Sequence, residues 1–367
     1  MTAERTPWQH DWAVAPGETL LEALQDRGMS QSDLARRMGR PIKTINEIVN
    51  GKAAITPDTA IQLELALGIT ATFWNNLEAN YRAQLARARS EKDLAAHASW
   101  ASAFPVHDLA KHGLIEAGTS KAGKVASLLS YFRVSTPDAW ESQWSAAAAS
   151  YRSSPAFVSS PHASAAWLRW GEIVADGIET APFDPQRFRQ VLGEIRGMTR
   201  RDFPLIRKRI EALCASAGVA LVITPELSGT HLSAAARWLA PDKAIIQLSL
   251  RHKTDDHFWF SFFHEAGHLL GRKRADHIDA DGPGQIPQTD PDEEKADRFA
   301  RETLLPPEDY AAFVDAGSFT EEAVRDFAKQ QGIAPGIVVG RLQRENLLPP
   351  SHLNDLKKPI HPSGRRQ

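Results

Sequence analysis

The segment His264-Glu265-Ala266-Gly267-His268 carries the residue types and spacing that most directly imply chemistry. On a helix, His264 and His268 stand one turn apart on the same face, so both imidazoles reach a single metal ion. Glu265 lies about 100° round from His264, near the open coordination position, where it can take a proton from a metal-bound water. Zn²⁺, one per chain, suits two imidazoles, one carboxylate and a water, and leaves the open position that catalysis needs. The chemistry would be metal-assisted hydrolysis of a peptide bond. Glu265 would act as general base and then pass the proton to the leaving amine. The competing account is a helix whose two histidines are merely hydrogen-bonded. A strongly apolar context (Phe258, Trp259, Phe260, Phe262, Phe263, Leu269) buries the segment against a core and favours the metal account.

A third protein ligand is required. No histidine follows shortly downstream, and Arg274 stands where the long form of the motif would carry one. The better candidate is Glu293, in Glu293-Glu294-Lys295-Ala296-Asp297 on the next helix. Glu294 would point about 100° elsewhere, so only one of the two ligates. The alternative for Glu293 is a solvated acidic first turn that complements the helix dipole. Hydrolysis also needs a partner for the developing oxyanion. His231, Arg237, His257 and Arg341 are candidates, and their spacing does not choose among them.

These groups must be positioned by a surrounding fold. From Gly218 onward the texture is that of strands: Val219–Thr224 is β-branched and apolar, and Arg237–Leu239 and Ala244–Leu250 flank a hairpin turn at Pro241-Asp242-Lys243. The apolar helix His257–Leu270 follows. An Asp-, Gly- and Pro-rich loop over 276–291 then leads to a helix over Asp292–Leu304, and two more helices cover Thr320–Gln331 and Pro335–Arg344. The tail from Pro349 to Gln367 is expected to be loosely held. Upstream, 91–212 is rich in Ala, Ser and Trp and broken by prolines, which reads as a helical connector or platform. The ten tryptophans are scattered through all pieces, so core packing accounts for them better than a base-stacking surface.

The first 90 residues read as five short helices. One carries Leu20, Leu21 and Leu24, and Ser30 caps Gln31–Met38, which stops at Gly39. A third runs from Pro41 to Val49 and ends at Asn50-Gly51, a fourth starts at Thr56-Pro57-Asp58, and a fifth spans Ala71–Arg89. Between Arg27 and Lys52, six basic residues stand against two acidic ones, although the first 90 residues as a whole are balanced. The chain carries a net charge of −2, which excludes a uniformly basic nucleic-acid coat. Its 367 residues, 42% hydrophobic and 24% charged, call for two or three globular domains. One cysteine, Cys214, cannot form an internal disulfide; with no signal-like start and no membrane-length apolar run, a cytoplasmic protein is expected.

Two family resemblances rest on these segments. The hairpin, SFFHEAGHLLG and EEKADRFARETLLPP together resemble the ImmA/IrrE-type zinc metallopeptidases over roughly 211–348. The resemblance implies a gluzincin (zincin-like) fold, with zinc ligands at His264, His268 and Glu293 and a catalytic glutamate at Glu265. It places Asp297 behind a ligand histidine as a brace, although Asn is frequent there, and it implies repressor- or antitoxin-like protein substrates. MSQSDLA followed by KTINEIVNGK, with GETLLEAL before and ITATFWNNLEANYR after, resembles the helix-turn-helix of the XRE family, nearest its HigA-like antitoxins, over about 15–85. In that arrangement the second helix of the motif enters the major groove of double-stranded operator DNA. Ile45, Ile48 and Val49 face the core, leaving Arg40, Lys43, Thr44, Asn46, Glu47 and Asn50 for DNA, with Gln31 meeting phosphate. Pseudo-palindromic sites favour a homodimer.

The expected fold is therefore mainly α (α+β). It comprises a five-helix module over 1–90, a helical region over 91–212, a zincin-like domain over 213–348 with a small antiparallel sheet, and a tail over 349–367. The expected function is a DNA-binding transcriptional regulator with zinc-dependent endopeptidase activity. The alternative is a HigA-like antitoxin or repressor whose zinc domain is a sensor or protein-binding platform without turnover.

Overall fold

The computed structural model describes residues 14–116, 118, 120–150, 160–249, 254–271, 277–280 and 291–360. The chain separates into two compact units, 1–98 with 120–123, and 99–119 with 124–367. Among the described residues, no helix is long and apolar enough to cross a membrane.

The first unit is built from α1 (Pro16–Asp26), α2 (Gln31–Met38), α3 (Ile42–Val49), α4 (Pro57–Leu67) and α5 (Ala71–Ala96). The boundaries follow local chemistry. Ser30 accepts from the Asp33 backbone N–H while the Asp33 side chain reaches back to Ser30, and Gly39 ends α2 in the left-handed conformation at φ 63°. Thr56 and Thr70 cap α4 and α5. Leu20, Leu24, Leu34, Ile45, Ile48, Leu63 and Trp74 make the shared core. Gly17 is required where it stands, because a Cβ there would collide with the carbonyl oxygens of Ile48 and Val49 at the end of α3. Buried Glu78 on α5 accepts from the Ile55 backbone N–H at 3.0 Å and from Arg82 at 2.7 Å, fixing the approach to α4. The long α5 continues past Arg89 to Ala96.

The chain continues with α6 (Ala98–Ser102), α7 (Val106–Lys111), α8 (Lys121–Phe132), α9 (Pro137–Ser150), α10 (Pro161–Asp176), α11 (Pro185–Met198) and α12 (Phe203–Ala215), which belong to the second unit except for the first residue of α6 and the first three of α8. Next come β1 (Val219–Thr224), β2 (Leu232–Ala240), β3 (Lys243–Ser249), α13 (Asp255–Leu269) and β4 (His277–Ala280). The last helices are α14 (Pro291–Leu304), α15 (Pro307–Asp315), α16 (Glu321–Gln331) and α17 (Pro335–Arg344), before a 3₁₀ turn at Asn354–Leu356.

The sheet has four strands in the order β1-β3-β2-β4. β2 pairs antiparallel with β3 and β4, but β1 pairs parallel with β3, so the sheet is mixed and not antiparallel as expected. The tight turn at Pro241-Asp242 fixes β2 against β3 as a hairpin, leaving only the far edge of β3 for β1. The unbroken apolar run of β1 suits this position, because a strand covered on both faces needs no polar side.

Strand alternation sorts residues onto two faces. Leu221, Ala234, Ala236, Ile246 and Leu248 join the large core with Phe262 and Phe263 of α13, Ile206 and Ile210 of α12, and Val338 and Leu342 of α17. Ala220, Val222 and Ile245 face the other way, with Ala175 of α10. On that second face Gln247 donates to the Trp167 carbonyl at 2.7 Å and to Thr224 at 3.1 Å. Gly171 leaves the room for it, since a Cβ there would collide with the Gln247 amide. Helix α10, in the stretch read as a connector, thus supplies one of three layers. The tryptophans here serve packing: Trp140 meets Trp100, Phe104 and Phe132 edge to face and stacks on His162.

The tail differs from its expectation as far as Ile360. Leu356 and Ile360 are buried in the large core, and the Lys358 backbone exchanges hydrogen bonds with Asp255, N–H to Asp255 Oδ1 at 3.0 Å and carbonyl from the Asp255 N–H at 2.8 Å. Composition flagged the prolines and lysines, but two apolar residues are enough to seat the segment. Residues 361–367 of the predicted tail lie outside the described residues.

Candidate functional site

Helix α13 begins after Thr254 and runs along the sheet with its aromatic residues in the core. This orientation leaves His264 and His268 on its opposite stripe, facing α14, and both are buried. The small residue between them sets the spacing of the two helices. A Cβ on Gly267 would lie 3.1 Å from the Ala296 Cα and 3.2 Å from the Phe299 ring, so the bare α-carbon at 267 lets α14 pack closer by a few tenths of an ångström than a side chain there would allow.

That approach gathers the expected ligands. His264 Nε2 and His268 Nε2 are 3.0 Å apart, and Glu293 Oε2 lies 3.2 Å from the first and 3.4 Å from the second. Two donors bound at zinc–ligand lengths around a tetrahedral centre stand about 3.3 Å apart, so the donor set and its spacing fit such an ion. Glu294 points away, exposed and paired with Arg298 at 3.6 Å, so Glu293 is the carboxylate brought to the histidines. Glu265 is fully buried on the same turn of α13.

Behind this cluster, Asp297 Oδ1 lies 3.0 Å from His264 Nδ1, which fixes the ring and leaves Nε2 facing Glu293. The other Asp297 oxygen faces Arg301 at 3.6 Å and Arg344 at 3.8 Å. Burial alone would raise the Asp297 carboxyl, but the hydrogen bond and charge of His264, then Arg344 and Arg301, outweigh it and hold the group below its usual value. Sequence reasoning missed both arginines. The signal available was Arg301 four residues after Asp297, one turn along α14.

The oxyanion candidates divide. Arg237 is a correction: strand alternation turns it to the α10 face of the sheet, away from α13. There its buried guanidinium donates to Glu172 at 2.7 Å and to the Leu168 carbonyl at 2.8 Å. His231 is exposed just before β2. His257 and Arg341 both line a cavity of about 480 Å³ beside α13, α14 and α17. Arg341 is engaged there, stacked over the Tyr310 ring at 3.6 Å and donating to Glu345 at 3.0 Å.

In the first unit, α2 and α3 meet across the Gly39 turn, and α3 buries Ile45 and Ile48. Val49 is only partly buried, packed at the edge of that core. Lys43, Asn46 and Asn50 are exposed along one stripe of α3, while Thr44 is half-buried. Asn50 donates to the Asn46 carbonyl at 2.7 Å and to its Oδ1 at 3.1 Å, and Lys43 lies 3.8 Å from Glu47. Gln31 opens α2, and Arg40, in the turn between the helices, donates to Gln62 on α4 at 2.6 Å. Ile42 was not anticipated: it stands more than half exposed at the start of α3, off the stripe that feeds the core.

Two helices crossing at a short glycine turn, the second presenting a polar stripe, make residues 16–96 a helix-turn-helix domain of the DNA-binding class. The Helix-turn-helix family matches residues 20–74. The HTH-type transcriptional regulator YddM of Escherichia coli is 35% identical over 63 residues, which is 17% of this chain and 67% of that protein. Antitoxin HigA-1 of Vibrio cholerae is 38% identical over 66 residues, 18% of this chain and 62% of its own length. A solved structure of the Pseudomonas aeruginosa antitoxin HigA with the higBA promoter is 34% identical, covering 22% of this chain and 90% of that one at a TM-score of 0.22. Through its N-terminal domain, the chain belongs to the helix-turn-helix family of transcriptional regulators.

Proposed function

We propose that this protein binds double-stranded operator DNA as a homodimer and hydrolyses a peptide bond in a repressor- or antitoxin-like protein at a zinc centre in its second unit. The DNA partner is supported by the helix-turn-helix match and by the promoter named for the related Pseudomonas aeruginosa antitoxin. Lys43, Asn46 and Asn50 would reach base edges, Gln31 would meet phosphate, and Ile42 offers an apolar contact of the kind that thymine methyls accept.

The observation that carries the hydrolytic reading is the mutual 3.0–3.4 Å spacing of His264, His268 and Glu293, with Asp297 braced behind His264. It supports the ImmA/IrrE-type, zincin-like assignment of this domain. Zinc held by these three groups would polarise the scissile carbonyl and acidify the attacking water. Glu265, at the second position of the motif, would take a proton from that water and deliver it to the leaving amine. Asp297 would hold the His264 ring in the tautomer whose Nε2 faces the ion.

The test compares cells expressing the wild-type chain with cells expressing Glu265→Gln, by proteome-wide labelling of new protein N-termini. Cleavage sites present only with the wild type, at equal zinc content, are expected. Identical sets of N-termini would overturn the hydrolytic assignment and leave the domain as a metal-dependent sensor or binding platform.

A further inference from the structure

The cavity beside α13 lies one turn from His264, with Phe260 in its wall and Phe260 packed against the His264 ring at 6.1 Å between centroids. Its volume of about 480 Å³ falls within the range of small-molecule sites. Leu304, Leu305 and Ile337 give it apolar walls. Four cationic side chains also line it, namely Arg301, Arg341, Arg344 and Lys357.

The charges do not cancel. Lys357 is matched by Asp256 at 2.6 Å and Arg341 by Glu345 at 3.0 Å, both acids also in the wall. Arg301 and Arg344, however, share the single carboxylate of Asp297, at 3.6 and 3.8 Å, distances longer than a good charged hydrogen bond. Among the described residues this leaves one guanidinium charge in excess, next to an apolar recess. Arg344 also lies over the Phe260 ring at 5.0 Å, so its planar fork stands at the junction of the apolar and charged parts.

We propose that this cavity is a binding site for an organic acid: a carboxylate on an apolar, ring-sized body, with the carboxylate on Arg344 and Arg301 and the body against Phe260 and Leu304. The same chemistry could come from a free acid or from the C-terminal residue of a peptide. The proposal is independent of peptide hydrolysis, because it concerns binding alone.

Titration calorimetry on the full chain tests it, with 3-phenylpropionate and its neutral amide as probes. The acid is expected to bind at least about tenfold tighter than the amide, the difference that one charge-assisted pair supplies. Arg344→Gln, at a largely exposed side chain, should remove that preference while leaving the melting temperature unchanged, and Arg301→Gln should weaken it. A tripeptide ending in phenylalanine, beside its C-terminal amide, separates the sources. A free acid is indicated if phenylpropionate binds at least as tightly as the tripeptide, and a peptide terminus if the tripeptide binds tighter. Acid and amide binding alike in both pairs, or an acid preference that survives Arg344→Gln and Arg301→Gln together, would overturn the proposal.

Discussion

Replacing Asp297 by alanine removes one acceptor, at 3.0 Å from His264 Nδ1, and leaves all three proposed ligand side chains in place. A ligand histidine without its brace can turn and change tautomer, and losses of this kind cost about 10–100-fold in metal affinity, or roughly 1.4–2.7 kcal/mol. Two features of the structure put this site in the lower half of that range. Asp297 is partly open to solvent, and its second oxygen already shares its charge with Arg301 and Arg344. We therefore expect Asp297→Ala to weaken zinc binding about ten- to thirtyfold, and Asp297→Asn, which keeps an acceptor oxygen, to weaken it less. Competition against a fluorescent zinc chelator at fixed pH reads the change directly, with thermal melting of the metal-free protein as the check on folding. Zinc affinity within about twofold of wild type would refute the bracing role. Complete loss of metal, equal to that of His264→Ala, would refute it differently, by making Asp297 a ligand.

Two further outcomes follow from the same geometry. Burial pushes the Asp255 carboxyl up to about 6, against the pull of the Lys358 and Asp256 backbone N–H groups. The folded state therefore binds this proton more tightly than the unfolded state. Stability from this group is full below pH about 4 and is lost as pH rises through about 6, by up to roughly 3 kcal/mol. Asp255→Asn keeps the accepting oxygen and should gain on the wild type between pH 5 and pH 8 in urea unfolding; a difference independent of pH would contradict the assignment. On α3, the double variant Lys43→Ala with Asn46→Ala should weaken binding to the DNA upstream of the protein's own gene by about tenfold or more, with zinc content unchanged. Equal gel-shift affinities would move the DNA contact elsewhere.

Much of the second unit was legible because its signals are local. Val219–Thr224 and Pro335–Arg344 form at the predicted residues, and α13 and α14 begin within two residues of expectation, since caps, prolines and apolar period fix such ends. The grouping of His264, His268 and Glu293 was legible because an i, i+4 spacing puts two histidines on one helix face and a family resemblance pointed to Glu293 and Asp297 on α14. What lay beyond reach depends on long-range partners. The parallel pairing of β1, strand β4 inside a loop-like composition, and the turning of Arg237 toward Glu172 are decided by which element covers each sheet face. The role of Gly267 and the sharing of Asp297 by two arginines likewise emerge only when α13, α14 and α17 pack together. The core seat of Ile360 is of the same kind, because an apolar residue after Lys357-Lys358-Pro359 carries no local sign of its partner.

The central claim is that His264, His268 and Glu293 hold one zinc ion. Elemental mass spectrometry of the zinc-supplied full chain, beside His264→Ala, Glu293→Ala and Glu294→Ala, tests it most directly. The account predicts about one zinc per chain in the wild type and in Glu294→Ala, and its loss in the other two. A wild type that takes up no zinc, or a Glu293→Ala variant that keeps it while Glu294→Ala does not, would contradict it.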